Sequence, residues 1–195
     1  MSLIVSDFMS LDGVVQAPGG PDEDTDGGFT HGGWSHPYFD VETMGAEFDR
    51  SAKSTGALLF GRRTWQSMAA AWPDRAGDPF ADHMNSVAKY VVSRTLAQHD
   101  LDWSNSRLLP SDDVASSVAK LKEEIEGDIH VLGSTQLARY LVGHDLVDEF
   151  SLMIEPIILG GGKKIFPEDG VARSLELKSL TKAATGVLIA RYGRA

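Results

Sequence analysis

The sequence predicts a mixed, twisted α/β sheet. Three observations predict it. Short apolar strands alternate with segments of helical spacing through the first two-thirds of the chain. Those strands are rich in Val, Ile and Leu, as in sheets covered on both faces. The last third is β-rich, which adds antiparallel strands at one edge. The alternation itself implies parallel strands joined by helical crossovers.

The elements follow in order. Leu3–Met9 is a short apolar strand. Ala17–Gly33, rich in Gly, Pro and Asp, reads as a long loop, a kind of segment that usually carries function or mobility. Asp40–Ser54 places Val41, Met44, Phe48 and Ala52 on one side of a helix. Ala57–Phe60 is a strand that ends at Gly61. Arg62–Ala71 is a helix stopped by Pro73, with Trp65, Met68 and Trp72 at core spacing. Phe80–Ala88 forms a helical turn and Tyr90–Ser93 a strand. Val114–Ile125 is a helix capped by Asp112 or Asp113. Ile129–Leu132 is a strand ending at Gly133, and Ser134–Val142 a helix with a Ser or Thr cap. Glu149–Leu159 is a long β run broken by Gly160–Gly162. Glu155–Pro156 inside it suggests an edge or a bulge, and the glycines a hairpin bend. Two strands close the chain, near Ser174–Thr181 and Val187–Tyr192.

The 195 residues fit one domain over 1–195, with the loop at 17–33 as its decoration. The chain has no cysteine, which excludes disulfides, thiolate catalysis and Cys-based metal sites. The start, MSLIVSDFMSLDG, lacks a basic region and a long apolar run, and no stretch approaches a membrane span. A cytoplasmic location is expected. The net charge of −10 argues against nucleic acid or anionic lipid as a general partner. A polyanionic ligand would need local basic residues beside glycines.

Three strand ends provide them. In LLFGRRTW, a strand runs into Gly61 and a helix starts at once, so free amides and the helix dipole face outward beside Arg62, Arg63 and Thr64. In VLGST, the turn at Gly133, Ser134 and Thr135 could receive a pyrophosphate or be a plain helix cap. In YVVSRTL, Ser93, Arg94 and Thr95 follow a strand, where an arginine could read an adenosine 2′-phosphate or simply sit in solvent. No full G-x-G-x-x-G is present.

These segments, with VSDFMSLDGVVQAPGG, KYVVSRTL, IHVLGSTQLARYL and LVDEFSLMIEPIILGGGKKIFP, resemble the dihydrofolate-reductase-like family, which includes the reductase domain of the riboflavin-biosynthesis deaminase-reductases. The resemblance implies a central, mostly parallel mixed sheet of about eight strands flanked by helices. It also implies an NADPH site: Gly61, Arg62, Arg63, Thr64, Ser93 and Arg94 around the adenosine phosphate end, and Gly133, Ser134 and Thr135 at the pyrophosphate. Ser10, Asp12 and Gly13 would line the nicotinamide and substrate cleft. A homodimer is implied as well. The chain departs from the family in having no zinc deaminase domain, and an acidic insertion follows V-V-Q-A-P-G-G.

Hydride transfer asks the protein for positioning and a proton source. Asp12 is the leading candidate for substrate orientation or proton relay, although Asp-Gly is also a common turn pair. In THGGWSHP, Trp34 could stack on a flat heterocycle as part of a lid, and the spacing of His31 and His36 does not suggest a metal. Gly160–Gly162 with Lys163 and Lys164 lack the spacing of a phosphate loop. The expected function is NADPH-dependent reduction of a C=N or C=O group in a small pterin-, folate- or pyrimidine-like compound. A non-catalytic NADPH- or ligand-binding protein on the same scaffold is the alternative, and a structural protein without cofactor the third reading.

Overall fold

The computed structural model describes residues 1–75 and 77–195. Eight strands form one sheet in the order β4-β3-β2-β5-β1-β6-β8-β7. The strands are β1 (Leu3–Ser10), β2 (Thr55–Gly61), β3 (Ala88–Val92), β4 (Ser106–Leu109), β5 (Asp128–Leu132), β6 (Glu149–Glu155), β7 (Leu175–Lys182) and β8 (Leu188–Arg194). The first six run parallel, and β8 pairs antiparallel with both β6 and β7. The helices among the described residues are α1 (Val41–Ser54), α2 (Arg62–Ala71), α3 (Pro79–Ser86), α4 (Val114–Glu124) and α5 (Thr135–Gly143). The sheet is the mixed, mostly parallel one that the alternation of elements predicts.

Strand periodicity divides the core. Leu3, Val5, Leu59, Ile129 and Val131 point to the face that packs Val118 and Leu121 of α4 and Leu137 and Leu141 of α5. Leu58, Phe60 and Val91 point the other way, onto Trp65 of α2, Met84 of α3 and Trp103. No helix among the described residues is long and apolar enough to cross a membrane.

Several elements differ from the expected ones for local reasons. The helical turn near Phe80 is a full helix, started by Pro79 and capped by Asp78, whose Oδ1 accepts from the amides of Phe80 and Ala81. The edge strand β4, Ser-Arg-Leu-Leu, is too short for its periodicity to be read. The β run from Glu149 stops at Glu155 because Pro156 has no N–H to donate. That strand lies between β1 and β8, so Glu155–Pro156 marks a strand end rather than an edge or bulge. The three glycines are no hairpin bend either. The segment after β6 crosses to the chain after β1, where the Val15 amide donates to the Lys163 carbonyl and the Lys163 amide to Gln16 Oε1. A Cβ on Gly162 would lie 2.5 Å from Val14 Cγ1, so that crossing demands glycine.

Candidate active site

Parallel strands joined by right-handed crossovers open a crevice beyond their carboxyl ends where the strand order reverses. Here β5 enters between β1 and β2, and the turns after β2, β3 and β5 open on one cleft of about 1470 Å³. Gly61, Arg62, Arg63, Thr64, Ser93, Arg94, Gly133, Ser134 and Thr135 all line it. The three strand ends expected to act together are therefore together in space.

Their turns are also joined. Ser134 sits in the left-handed region (φ 60°) ahead of α5, and its Oγ accepts from the Gly61 amide at 2.7 Å. The expected Ser cap of α5 is thus absent: the hydroxyl bridges to the neighbouring strand end instead. Gly133 has φ +57°, and a Cβ there would lie 3.3 Å from Thr64 Cγ2. The helices divide accordingly. Asp40, Asp78 and Asp113 cap α1, α3 and α4 through amides of their first turns. The helices α2 and α5, which follow the glycine strand ends directly, receive no side-chain cap from the described residues. Their first-turn amides are left to solvent or a ligand.

The basic side chains differ in freedom. Arg94 is exposed at the cleft. Arg62 reaches Gln66 at 3.3 Å. Arg63 is paired with Asp26 of the long loop, and Lys163 Nζ lies 2.5 Å from Asp24 Oδ2 and 2.9 Å from Asp26 Oδ2. Ser93 Oγ accepts from the amides of Thr95 and Leu96, so its hydroxyl shapes the turn that presents Arg94.

The far half of the cleft lies under α1 and α3. Its walls are aromatic and thioether side chains: Phe8, Phe48, Trp72, Phe80 and Met153. Its floor is a polar row across the sheet. Ser6 Oγ lies 3.1 Å from His130 Nδ1, and Ser151, the register partner of Ser6, donates to Glu47 Oε1 at 2.9 Å. Glu47 is also paired with Arg50 and faces Arg191 at 3.8 Å. Burial pushes the His130 imidazole down to about 4, so it is neutral at pH 7, and its buried Nε2 has no partner among the described residues. On the opposite face of β1, Asp7 lines the cleft beside the Gly133 turn. Burial raises its carboxyl well above the usual range, the Gly133 amide opposes that shift, and the charge of Glu23 adds to it.

The residues expected at the substrate end stand elsewhere. Ser10, Asp12, Gly13 and Trp34 are not among those that line the cleft. Ser10 is fully buried; its Oγ donates to Asp12 Oδ1 and accepts from the Val14 amide. Asp12 also accepts from the amides of Leu159 and Gly160. The Ser10 hydroxyl above all, with those amides, holds its carboxyl down at about 2. A carboxylate so satisfied has no proton to give, and it fastens the turn after β1 to the segment after β6. Gly13 (φ +85°) closes that turn. Trp34 is buried, its Nε1 donating to the Gln16 carbonyl at 2.7 Å, so it anchors the loop rather than stacking over the cleft.

Sequence reasoning passed over Asp7, Glu47, His130 and Ser151. Two of them carried a signal: a carboxylate inside LIVSDFM and an imidazole inside IHVL each interrupt an apolar strand.

Comparison with known proteins agrees with the fold. The RibD C-terminal domain family matches residues 1–189, and the chain belongs to that family. The uncharacterized protein YyaP of Bacillus subtilis is 30% identical over 136 residues, covering 67% of this chain and 70% of YyaP. Among solved structures, a protein named for riboflavin biosynthesis from Shewanella sp. PV-4 superposes with a TM-score of 0.77 at 19% identity, covering 100% of this chain and 99% of that one. A pyrimidine reductase-like protein from Corynebacterium diphtheriae gives 0.64 at 14% identity, covering 100% and 92%. The fold is the dihydrofolate-reductase-like one.

Proposed function

We propose that the chain is an NADPH-dependent reductase that acts on a C=N or C=O group of a small pterin-, folate- or pyrimidine-like heterocycle. The observation that carries this reading is a difference among the helices around the cleft: α2 and α5, which follow the Gly61 and Gly133 strand ends directly, receive no side-chain cap from the described residues, whereas α1, α3 and α4 are capped by aspartate. The free amides of α2 and α5 suit phosphates, and Arg62, Arg63 and Arg94 oppose the chain's negative charge where the phosphates would lie.

The residues fit a dinucleotide in this way. Gly133, Ser134 and Thr135 would hold the pyrophosphate, and Gly61–Thr64 with Ser93 and Arg94 the adenosine phosphate end. When bound, a reduced nicotinamide supplies the hydride. The aromatic walls give the far half an apolar lining for a flat ring, and the neutral His130 with Ser6 and the Glu47 row would orient its polar edge. Family membership supports a reductase-type activity. The exposed Leu175, Leu177 and Leu180 on edge strand β7 support a homodimer.

The test is NADPH oxidation followed with a panel of dihydropterins, dihydrofolate and aminopyrimidines. Turnover with one of these classes, lost in His130→Ala while NADPH binding persists, is expected. Tight NADPH binding without oxidation in any mixture would favour a non-catalytic binder on the same scaffold.

A further inference from the structure

Asp7 is unlike the other carboxylates at the cleft. It sits near the carboxyl end of the central strand, at the cleft, with Leu152 as its β6 register partner. The Gly133 amide lies close enough to favour its ionised form, whereas Oδ2 is buried and has no partner among the described residues. The charged group facing it is Glu23 of the long loop, which repels an ionised Asp7 rather than compensating it. A buried polar atom without a partner is costly to fold around, and such an atom beside a ligand cleft is most simply read as waiting for a ligand. The place matters. Gly133 opens the turn ahead of the uncapped helix α5, where an ionised carboxylate would repel a phosphate and a protonated one would donate to it.

We propose that Asp7 binds as a neutral carboxylic acid, its Oδ2–H donating to a phosphate oxygen of the dinucleotide held at the Gly133–Ser134 turn. This rests on the reading of the cleft as an NADPH site. It adds a side-chain contact that none of the three strand-end segments contains. It also links affinity to protons: the form that binds is the protonated one, so affinity falls as pH rises through the Asp7 pKa. Burial, which already raises the carboxyl, favours the binding form.

The experiment is calorimetric titration of NADPH into the wild type, Asp7→Asn and Asp7→Leu from about pH 6 to the alkaline limit of stability. Asparagine keeps a donor and leucine keeps none. The Asn variant is expected within about threefold of the wild type at the acid end of the range, and the Leu variant about ten- to a hundredfold weaker. The wild type is expected to weaken with alkalinity, by up to about tenfold per pH unit beyond the Asp7 pKa, while the Asn variant stays level relative to it. Subtracting the two profiles removes the cofactor's own ionisation. A Leu variant that binds as tightly as the wild type, with parallel pH profiles for wild type and Asn, would overturn the role of Asp7 and leave the cofactor site standing. No NADPH binding by the wild type at any pH would instead overturn the cofactor reading, and this proposal with it. If the Leu variant does not fold, the comparison of wild-type and Asn pH profiles decides alone.

Discussion

The two halves of the cleft are built in different ways. The half beside Gly61, Ser93 and Gly133 is made of backbone: glycine turns, uncapped helix starts and arginines next to them in sequence. The half under α1 and α3 is made of side chains from distant strands. Ser6 and His130 meet across 124 positions, and Glu47 and Ser151 across 104. A backbone site depends on conformation at one or two residues, whereas a side-chain site depends on register between strands. The two should therefore fail differently when altered.

The largest expected effect is on the backbone half. Gly133→Val adds a Cβ against Thr64 and forces a β-branched residue to φ +57°. It should weaken NADPH binding by about a hundredfold or more, at a stability cost of about 1–3 kcal/mol. Fluorescence titration and chemical unfolding check the pair; a Val variant that binds normally would break the comparison.

The far half should show the converse. Glu47→Gln keeps an acceptor for Ser151 but leaves Arg191 without one of its two carboxylate neighbours in a largely buried setting. A loss of about 2–4 kcal/mol in urea unfolding is expected, with NADPH affinity changed by less than about twofold. Equal loss of cofactor binding would mean that the halves are not separable.

A smaller effect, of opposite sign, is expected in the loop that spans the arginines. Asp26→Asn releases Arg63 and part of the hold on Lys163. Both pairs are at least partly exposed, so the gain is modest: NADPH affinity should rise about two- to fivefold at low salt and converge with the wild type as salt increases. Affinity unchanged at low salt would mean that Asp26 does not compete for these cations.

The subtlest expectation concerns pH. Glu155 is buried at the end of β6, its Oε1 accepting from Ser35, and burial pushes its carboxyl from 4.5 up to about 7. The folded state thus holds this proton more tightly than the unfolded chain. The stability it contributes is full below about pH 4.5, is lost as pH rises towards about 7, and is level beyond. His130, lowered from 6.5 to about 4, works the other way, its contribution being lost as pH falls through the same window. The melting temperature of Glu155→Gln relative to the wild type should therefore climb between about pH 4.5 and 7 and then level off. A difference that is constant with pH would deny the buried acid its role.

The same contrast explains what was legible in the sequence. Strand, glycine, helix start and arginine are contiguous in LLFGRRTW and VLGST, so one local pattern holds both the element and its use. The sheet was legible for the same reason, except for β4, whose four residues leave no period to read. The bonding of Asp12 was not legible because a carboxylate in an Asp-Gly turn looks the same in sequence whether its oxygens are free or fully bonded. Only the approach of Leu159 and Gly160 decides it. The orientation of Trp34 was not legible either, since a glycine-rich loop does not reveal which way its aromatic turns. The polar floor went unread because its members share no segment; of them, only His130 stands out as a titratable residue inside an apolar strand, as Asp7 does on the other face of the sheet.

The most direct test of the cleft as a dinucleotide site is the melting temperature of the wild type and Arg94→Ala with NADPH and with NADH. At about a hundred times its dissociation constant, a ligand adds roughly 2.7 kcal/mol to the folded state, or about 5–10 °C for a chain of this size. The expected result is a shift of that order with NADPH, a much smaller one with NADH at the same concentration, and an NADPH shift in Arg94→Ala that falls to the NADH value. No shift with either cofactor at millimolar concentration would contradict the dinucleotide site itself.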